Sequence, residues 1–140
     1  MSFVATWTIL NADGTNSGDE MVIRSATDVA DLISALGQPG ATAALVRHEQ
    51  RPTVQDDEGR TVPDHDMSVG VWQGFGYLTY ADPDHDYETL AGVPESPEFA
   101  AHYVEYDTGT GVPLDRLQAA LVEFLESARR PSTVDWQEPL

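Results

Sequence analysis

The segment Met67–Ala81 limits the possible folds of this 140-residue chain more than any other stretch. As one extended strand its fifteen residues would span about 50 Å, which is too long for a domain of this size. The sequence QGFG at Gln73–Gly76 interrupts the segment with two glycines, the residues that accept the positive φ angles of tight turns. We therefore predict a β-hairpin in which Met67–Trp72 pairs with Tyr77–Ala81.

The tetrapeptide PDHD flanks this hairpin on both sides, at Pro63–Asp66 and at Pro83–Asp86. Because a hairpin returns its ends to each other, Asp66 and Asp82 should lie on neighbouring strands. Both copies of PDHD would then share one edge of the molecule. The expected result is one patch of six carboxylates: Asp64, Asp66, Asp82, Asp84, Asp86 and Glu88.

Such a patch could serve as a metal site, as an acid/base pair or as a negative surface for another molecule. His65, His85 and the carboxylates are suitable metal ligands. The run Asp82–Asp86 even begins like a calcium-binding loop, but Tyr87 stands where that loop needs glycine and Val93 where it needs glutamate. An acid/base pair needs carboxyl groups in contrasting environments, whereas these lie in turns open to water. We expect a negative surface without a dedicated metal.

Other enzyme signatures are missing from the sequence. It contains no GxSxG elbow, no HExxH pair and no phosphate-binding glycine loop. Without cysteine it has no disulfide, no thiolate zinc site and no thiol nucleophile. His48 and His102 fall on predicted strands, where a structural role is expected. We predict a protein that is not an enzyme and needs no cofactor.

The charge is strongly negative, at −17, and all seven basic residues are arginine. Residues 49–107 carry fourteen of the twenty-four acidic residues and only two of the arginines. Such a surface repels nucleic acid and anionic membranes, so neither is an expected direct partner. The start of the chain, MSFVATWTIL, has no basic segment before its apolar residues, and no apolar run approaches membrane-spanning length. The cytoplasm is the expected compartment.

Two segments have the apolar periodicity of helices, near Asp28–Leu36 and Leu114–Ala128. Ser25 or Thr27 can cap the first, and Pro113 suits the first position of the second. The polar tract up to Asp66 is expected to be a loop. Besides the hairpin, strands are expected at Phe3–Leu10, Met21–Arg24, Ala41–His48, His102–Asp107 and Ser132–Trp136.

These elements predict a single α+β domain over residues 1–140. Its sheet would be mainly antiparallel, with about six to seven strands, and its two principal helices would form a single layer on that sheet. Trp7 and Trp136 are expected in the core. Trp72, Phe75 and Tyr77 cluster at the tip of the hairpin, where they either pack under a neighbouring loop or form an exposed aromatic anchor for a protein partner.

The C-terminal stretch VPLDRLQAALVEFLESARRPSTVDWQ resembles the closing signature of the first immunity protein family of bacterial polymorphic toxin systems. That signature has a helix led by Val-Pro, an alanine and phenylalanine stripe, an Arg-Pro step and a final strand with tryptophan. The hairpin ending in GYLTYAD also resembles the middle of the family. The matching positions are Val112, Pro113, Ala120, Phe124, Arg130, Pro131 and Trp136.

The resemblance implies a non-enzymatic antidote that binds a cognate secreted toxin inside the producing cell or its kin. Many toxins paired with this family are nucleic-acid deaminases. A protein that acts on DNA or RNA presents a basic groove to phosphates, and an acidic domain complements it. The expected partner is thus a basic toxin. The residues expected to bind it are Asp64, Asp66, Trp72, Phe75, Tyr77, Asp82, Asp84, Asp86 and Glu88.

Two alternative functions stay open on the sequence alone. One is an acidic interaction or regulatory domain that has no toxin partner and uses its charge only for solubility. The other is a small metal-dependent hydrolase that uses the histidines and aspartates of the two PDHD copies. The neighbouring gene would distinguish the first alternative, and metal analysis of the purified protein would distinguish the second.

Overall fold

The computed structural model of the chain describes residues 1–140. It contains two helices, α1 (Ala26–Leu36) and α2 (Leu114–Ser127), and twelve strands. The α+β fold with a mainly antiparallel sheet is confirmed. The strands are β1 (Phe3–Leu10), β2 (Asn16–Ile23), β3 (Ala44–His48), β4 (Thr53–Gln55), β5 (Thr61–Pro63), β6 (Asp66–Trp72), β7 (Phe75–Asp82), β8 (His85–Leu90), β9 (Phe99–Ala100), β10 (Glu105–Tyr106), β11 (Val112–Pro113) and β12 (Trp136–Gln137).

The main sheet has eight strands, in the order β12-β8-β7-β6-β3-β1-β2, with β11 paired to β7. The predicted hairpin is its centre: β6 and β7 are antiparallel, with Trp72 opposite Phe75 at the tip and Asp66 opposite Ala81 at the open end. Gln73 and Gly74 form the turn with φ angles of 50° and 82°, as tight hairpin turns require. This register confirms that the two PDHD copies lie at one edge of the molecule.

Both predicted helices are present, and local sequence explains their ends. The side chain of Ser25 accepts a hydrogen bond from the backbone N–H of Asp28 and so caps α1. Helix α2 follows Pro113 and ends at Ala128, which has a left-handed conformation and donates its N–H to the carbonyl of Phe124. Neither helix is long and apolar enough to cross a membrane.

The main core lies between the helices and one face of the sheet. Alternate residues of the strands point to this face, and 23 buried residues form one cluster with the apolar stripes of α1 and α2. Phe124 of α2 is fully buried in it, with its ring 5.6 Å from the ring of Phe3 and 5.1 Å from that of His48. We call this side of the sheet the helix face and the other side the open face.

The open face is only partly covered. The short hairpin β9–β10 lies over β6 and β7, and Phe99 and Tyr106 pack there with Tyr77 in a second apolar cluster. Gly70 of β6 lets these rings approach closely, since a Cβ atom there would lie 2.9 Å from a ring carbon of both Phe99 and Tyr106. The sequence therefore needs glycine at this strand position for packing, not for a turn.

We expect Gly70→Ala to lower the free energy of unfolding by about 1–3 kcal/mol, because the new methyl group overpacks the two rings. Gly18→Ala is the matched control: Gly18 also lies in a strand, and nothing stands within 4 Å of a Cβ atom added there. Urea denaturation of both variants measures the difference. Equal stability of the two variants would contradict the close packing described for Gly70.

Several predicted strand boundaries are wrong. The expected strand His102–Asp107 is broken, because His102 has a φ angle of 78° and lies in the turn between β9 and β10. The polar tract expected as a loop contains the β4–β5 hairpin, and β2 begins five residues before the predicted Met21. The C-terminal strand is Trp136–Gln137 instead of Ser132–Trp136. Pairing with another strand decided these boundaries: β1 for β2, β5 for β4, β9 for β10 and β8 for the C-terminal strand.

Candidate functional site

Arg51 contacts the first PDHD copy and the residue that precedes the second copy. Its Nε lies 2.8 Å from Oδ1 of Asp64 and its Nη2 lies 2.9 Å from Oδ2 of the same carboxylate. The same Nη2 is 3.8 Å from Oδ2 of Asp82, and Nη1 donates to the backbone carbonyl of Ala128 at 2.9 Å. One guanidinium thus connects both ends of the β6–β7 hairpin with the end of α2.

The two carboxylates that contact Arg51 are largely buried, with 8% exposure for the side chain of Asp64 and 4% for that of Asp82. Burial alone would raise the pKa of Asp64, but the hydrogen bond and charge of Arg51 outweigh it and hold that pKa below its ordinary value. Burial likewise opposes ionisation of Asp82, and hydrogen bonds from Tyr80 and His85 keep its pKa low. Both groups are therefore carboxylates at neutral pH.

The histidine of the first copy has a structural role. His65 is buried and its Nε2 accepts the backbone N–H of His48 at 3.0 Å. Its Nδ1 must then carry the proton, and it lies 3.2 Å from Oδ1 of Asp64. Burial, together with the charge of Arg51, lowers the pKa of His65, so the ring is neutral at neutral pH. His48 is also buried, with Nε2 2.9 Å from the carbonyl of Leu125.

The second PDHD copy spans the turn between β7 and β8, with Pro83 and Asp84 in the turn and His85 and Asp86 at the start of β8. Its histidine, His85, is part-exposed, and Nδ1 lies 2.8 Å from Oδ1 of Asp82. The hydroxyl of Tyr80 donates to the other oxygen of Asp82 at 2.7 Å, and the backbone N–H of Asp84 donates to Oδ1 at 2.8 Å. Asp82 therefore organises the turn that the second copy spans.

The six predicted carboxylates divide into two groups, which corrects the expectation that all of them lie open to water. Asp64 and Asp82 are bound to Arg51, and Glu88 is half-buried and pairs with Arg130 at 2.8 Å. Only three are exposed and form no ion pair. These three, which we call the acidic end, are Asp66, Asp84 and Asp86.

The donor set does not fit a metal centre. The oxygens of Asp64 and Asp82 contact a guanidinium, and Nε2 of His65 accepts a backbone N–H. No group of three or more histidine, aspartate or glutamate side chains is placed to hold a metal ion. These side chains therefore stabilise the packing of the two ends of the β6–β7 hairpin against the end of α2. They do not form a metal site.

The three aromatic residues of the hairpin tip have different environments. Tyr77 is fully buried, and its hydroxyl donates to the carbonyl of Pro97 at 2.6 Å; burial raises its pKa to about 12. Phe75 is half-buried. Trp72 is 42% exposed and stacks on Phe99 with ring centroids 5.1 Å apart. Burial removes Tyr77 from any surface, so Trp72 and Phe75 alone are left of the expected aromatic anchor.

The exposed aromatic residues and the acidic end do not share a surface. Trp72 lies at the tip of the hairpin and Asp66 at the start of the same strand, about 20 Å away for a strand of this length. Sequence reasoning also missed Tyr87, which is 44% exposed on β8, next to Asp86 of the acidic end. The alternation of β8 could have indicated it, since Glu88 beside it points to Arg130 near α2.

The family model described as immunity protein Imm1 matches residues 17–138 of the chain. The match begins within β2 and runs to the residue after β12, so it includes both PDHD copies, Arg51 and the two helices. No curated protein matches the chain, and no solved structure matches it.

Proposed function

This chain belongs to the Imm1 family of immunity proteins, and we propose that it neutralises one cognate toxin by binding it inside the cell that makes the toxin. We further propose that this toxin acts on nucleic acid, as a deaminase-type toxin does, and presents a basic surface. An immunity protein of this kind is a stoichiometric inhibitor without catalytic activity of its own. Complexes between toxins and such inhibitors include some of the tightest known, so a small domain is sufficient for inhibition.

The acidic end carries the proposal about the partner. Asp66, Asp84 and Asp86 are exposed at the end of the sheet where the β6–β7 hairpin opens, and none of them has an arginine within ion-pair distance. The net charge of −17 surrounds them with further negative potential. A toxin that binds nucleic-acid phosphates must carry a positively charged groove. Opposite charges on two proteins raise their association rate.

The organisation of the remaining charged groups supports a binding role. The carboxylates of Asp64 and Asp82 and the ring of His65 are held in a fixed network around Arg51. This network holds the β7–β8 turn through Asp82, and both Asp84 in that turn and Asp86 at the start of β8 are exposed. A rigid support lowers the entropy lost when a partner binds.

The direct test uses the protein encoded by the gene next to that of this chain. We expect the two proteins to co-purify, and an equimolar amount of this chain to abolish the toxicity of its neighbour and any deaminase activity on DNA or RNA. A neighbour that is neither bound nor inhibited would refute the proposed function. Binding of a toxin that does not act on nucleic acid would refute only the finer part.

We predict that neutralising the acidic end slows association with the toxin by about tenfold at low salt, because steering by opposite charge is lost. The variant is Asp66→Asn, Asp84→Asn and Asp86→Asn together. Folding should be unchanged, since none of the three side chains forms an ion pair. Stopped-flow or surface-based kinetics at 50 mM and 300 mM salt measures the on-rate.

A control variant with the same change of net charge neutralises three exposed carboxylates at other positions. They are Asp31 on α1, Glu126 on α2 and Glu138 near the C-terminus. Asp31→Asn, Glu126→Gln and Glu138→Gln together should slow association less than threefold. If both variants slow association equally, the net charge matters and the acidic end has no special part in binding.

A further inference from the structure

A groove on the open face of the sheet adjoins the acidic end. The β9–β10 hairpin covers β6 and β7, while Leu45 of β3 and Thr6 of β1 are exposed on this side. Between these strands and the edge of β5 lies a groove of about 490 Å³. We call it the Leu45 groove, and the residues that define it are Val4, Leu45, Val62, Glu20, Arg47 and Asp66.

The floor of the groove is apolar at its centre. Leu45 lies on β3, between β6 and β1, and is 47% exposed, while its neighbours Ala44 and Val46 are buried on the helix face. Val4 on β1 and Val62 on β5 line the groove on either side of it. A single exposed leucine needs no explanation, but Leu45 lies in a groove whose walls include the half-buried Val62 and the buried Val4, so an apolar partner side chain can pack on it there.

The charged residues of the groove surround this apolar floor. In the sheet register, Leu45 lies opposite Thr6, and Thr6 lies opposite Glu20 on the edge strand β2. Asp66 lines the groove from β6. Both carboxylates are exposed without an ion pair, and so is the guanidinium of Arg47. The groove thus offers two free carboxylates and one free guanidinium around an apolar centre.

Asp66 belongs both to the Leu45 groove and to the acidic end, so the two surfaces are continuous. The competing surface beside Trp72 lacks this continuity: the groove there contains the single carboxylate of Glu98 and no residue of the acidic end. A stable complex buries about 800 Å² on each partner, and such a contact needs an apolar centre with a polar rim. The acidic end alone provides only the rim.

We propose that the Leu45 groove receives a segment of the toxin that carries an apolar side chain between arginine or lysine residues. The apolar side chain packs on Leu45, the basic side chains pair with Glu20 and Asp66, and Arg47 binds a carbonyl or carboxylate oxygen of the same segment. This inference rests on the proposed function and adds the place and chemistry of the contact. Charge complementarity and continuity with the acidic end carry it.

The test compares Leu45→Arg with Leu10→Arg, using the toxin encoded by the neighbouring gene. Leu10 is a matched control because it also lies on a strand, is 40% exposed and lines the groove beside Trp72. We expect Leu45→Arg to raise the Kd at least 100-fold and Leu10→Arg to change it less than threefold. The reverse pattern would place the contact at the Trp72 end and overturn the inference while leaving the proposed function intact.

A second measurement does not depend on a disruptive substitution. Because the chain has no cysteine, Leu45→Cys and Leu10→Cys each introduce one thiol, whose alkylation rate by a maleimide reports its exposure. We expect the toxin to slow alkylation at position 45 at least tenfold and to leave position 10 unchanged. An unprotected thiol at position 45 in a formed complex would overturn the inference. Failure of the unmodified chain to bind the toxin would instead remove the proposed function itself.

Discussion

Replacing Phe124 with alanine should lower the free energy of unfolding by about 3–5 kcal/mol, because it removes a ring and leaves a cavity. The side chain has no solvent exposure. Its ring lies 6.2 Å from the ring of Tyr80 and 6.1 Å from that of His65, in addition to its contacts with Phe3 and His48. Phe124 therefore joins α2 to three strands, and its replacement should destabilise the whole domain.

Urea denaturation of purified Phe124→Ala measures this change against a control on the same helix. Val122 is only half-buried, so Val122→Ala should cost no more than about 1 kcal/mol. Since domains of this size are stable by only about 5–15 kcal/mol, the Phe124 variant should also melt many degrees lower. A loss below 1 kcal/mol for Phe124→Ala would mean that α2 does not pack on the sheet as described.

Replacing Arg51 with methionine should cost about 3–5 kcal/mol at neutral pH, because it leaves two buried carboxylates without their cation. Asp64 would lose both its hydrogen bonds to the guanidinium, and the carbonyl of Ala128 would lose a donor. The matched control is Arg60→Met. Arg60 pairs with Asp56 at the same 2.8 Å, but its side chain is 68% exposed, so its loss should cost less than about 1 kcal/mol.

The pH dependence separates the loss of an ion pair from a simple packing defect. In the unchanged protein the pKa values of Asp64 and Asp82 are lowered. These groups therefore contribute stability above their unfolded pKa of about 3.8, and that stability is lost as the pH falls through the lowered folded pKa.

In Arg51→Met the burial of Asp64 should instead raise its pKa, because the opposing cation is gone. Protonation then favours the folded state of the variant as the pH falls from 7 towards 5, and the difference in stability from the unchanged protein should shrink. Denaturation curves at pH 7 and pH 5 measure this. A difference that is equal at both pH values would show that the guanidinium stabilises the fold by packing and not by charge.

Arg51 and Phe124 are both structural residues, and their variants differ in this respect from variants at the binding surface. Arg51 contacts Asp82, which accepts the backbone N–H of Asp84 in the β7–β8 turn, so its loss can weaken toxin binding indirectly. The Phe124 variant should weaken binding only as far as it unfolds the domain. The variants at the acidic end and at Leu45 change exposed side chains and should leave the melting temperature nearly unchanged. Only a loss of binding without a loss of stability identifies a contact residue.

Local pattern was sufficient for much of the fold. The 3.6-residue spacing of apolar residues predicted both helices to within two residues of their observed ends, and the glycine turn predicted the central hairpin. The same local reasoning was wrong about His102–Asp107 and about the polar tract before Asp66. Those segments are short hairpins, whose strands depend on pairing and on what covers the sheet, and short-range spacing does not encode either.

The sequence alone determined the charge, the hairpin that brings the two PDHD copies together and the resemblance that the family match confirmed, because each depends on residue identity or on near neighbours. Only the tertiary structure decided which carboxylates are free. Arg51 reaches Asp64 across thirteen residues of sequence and brings Asp82 into the same network. It also decided that Tyr77 is buried and Leu45 exposed. Burial on a sheet depends on which elements pack over each face, and those elements come from distant parts of the chain.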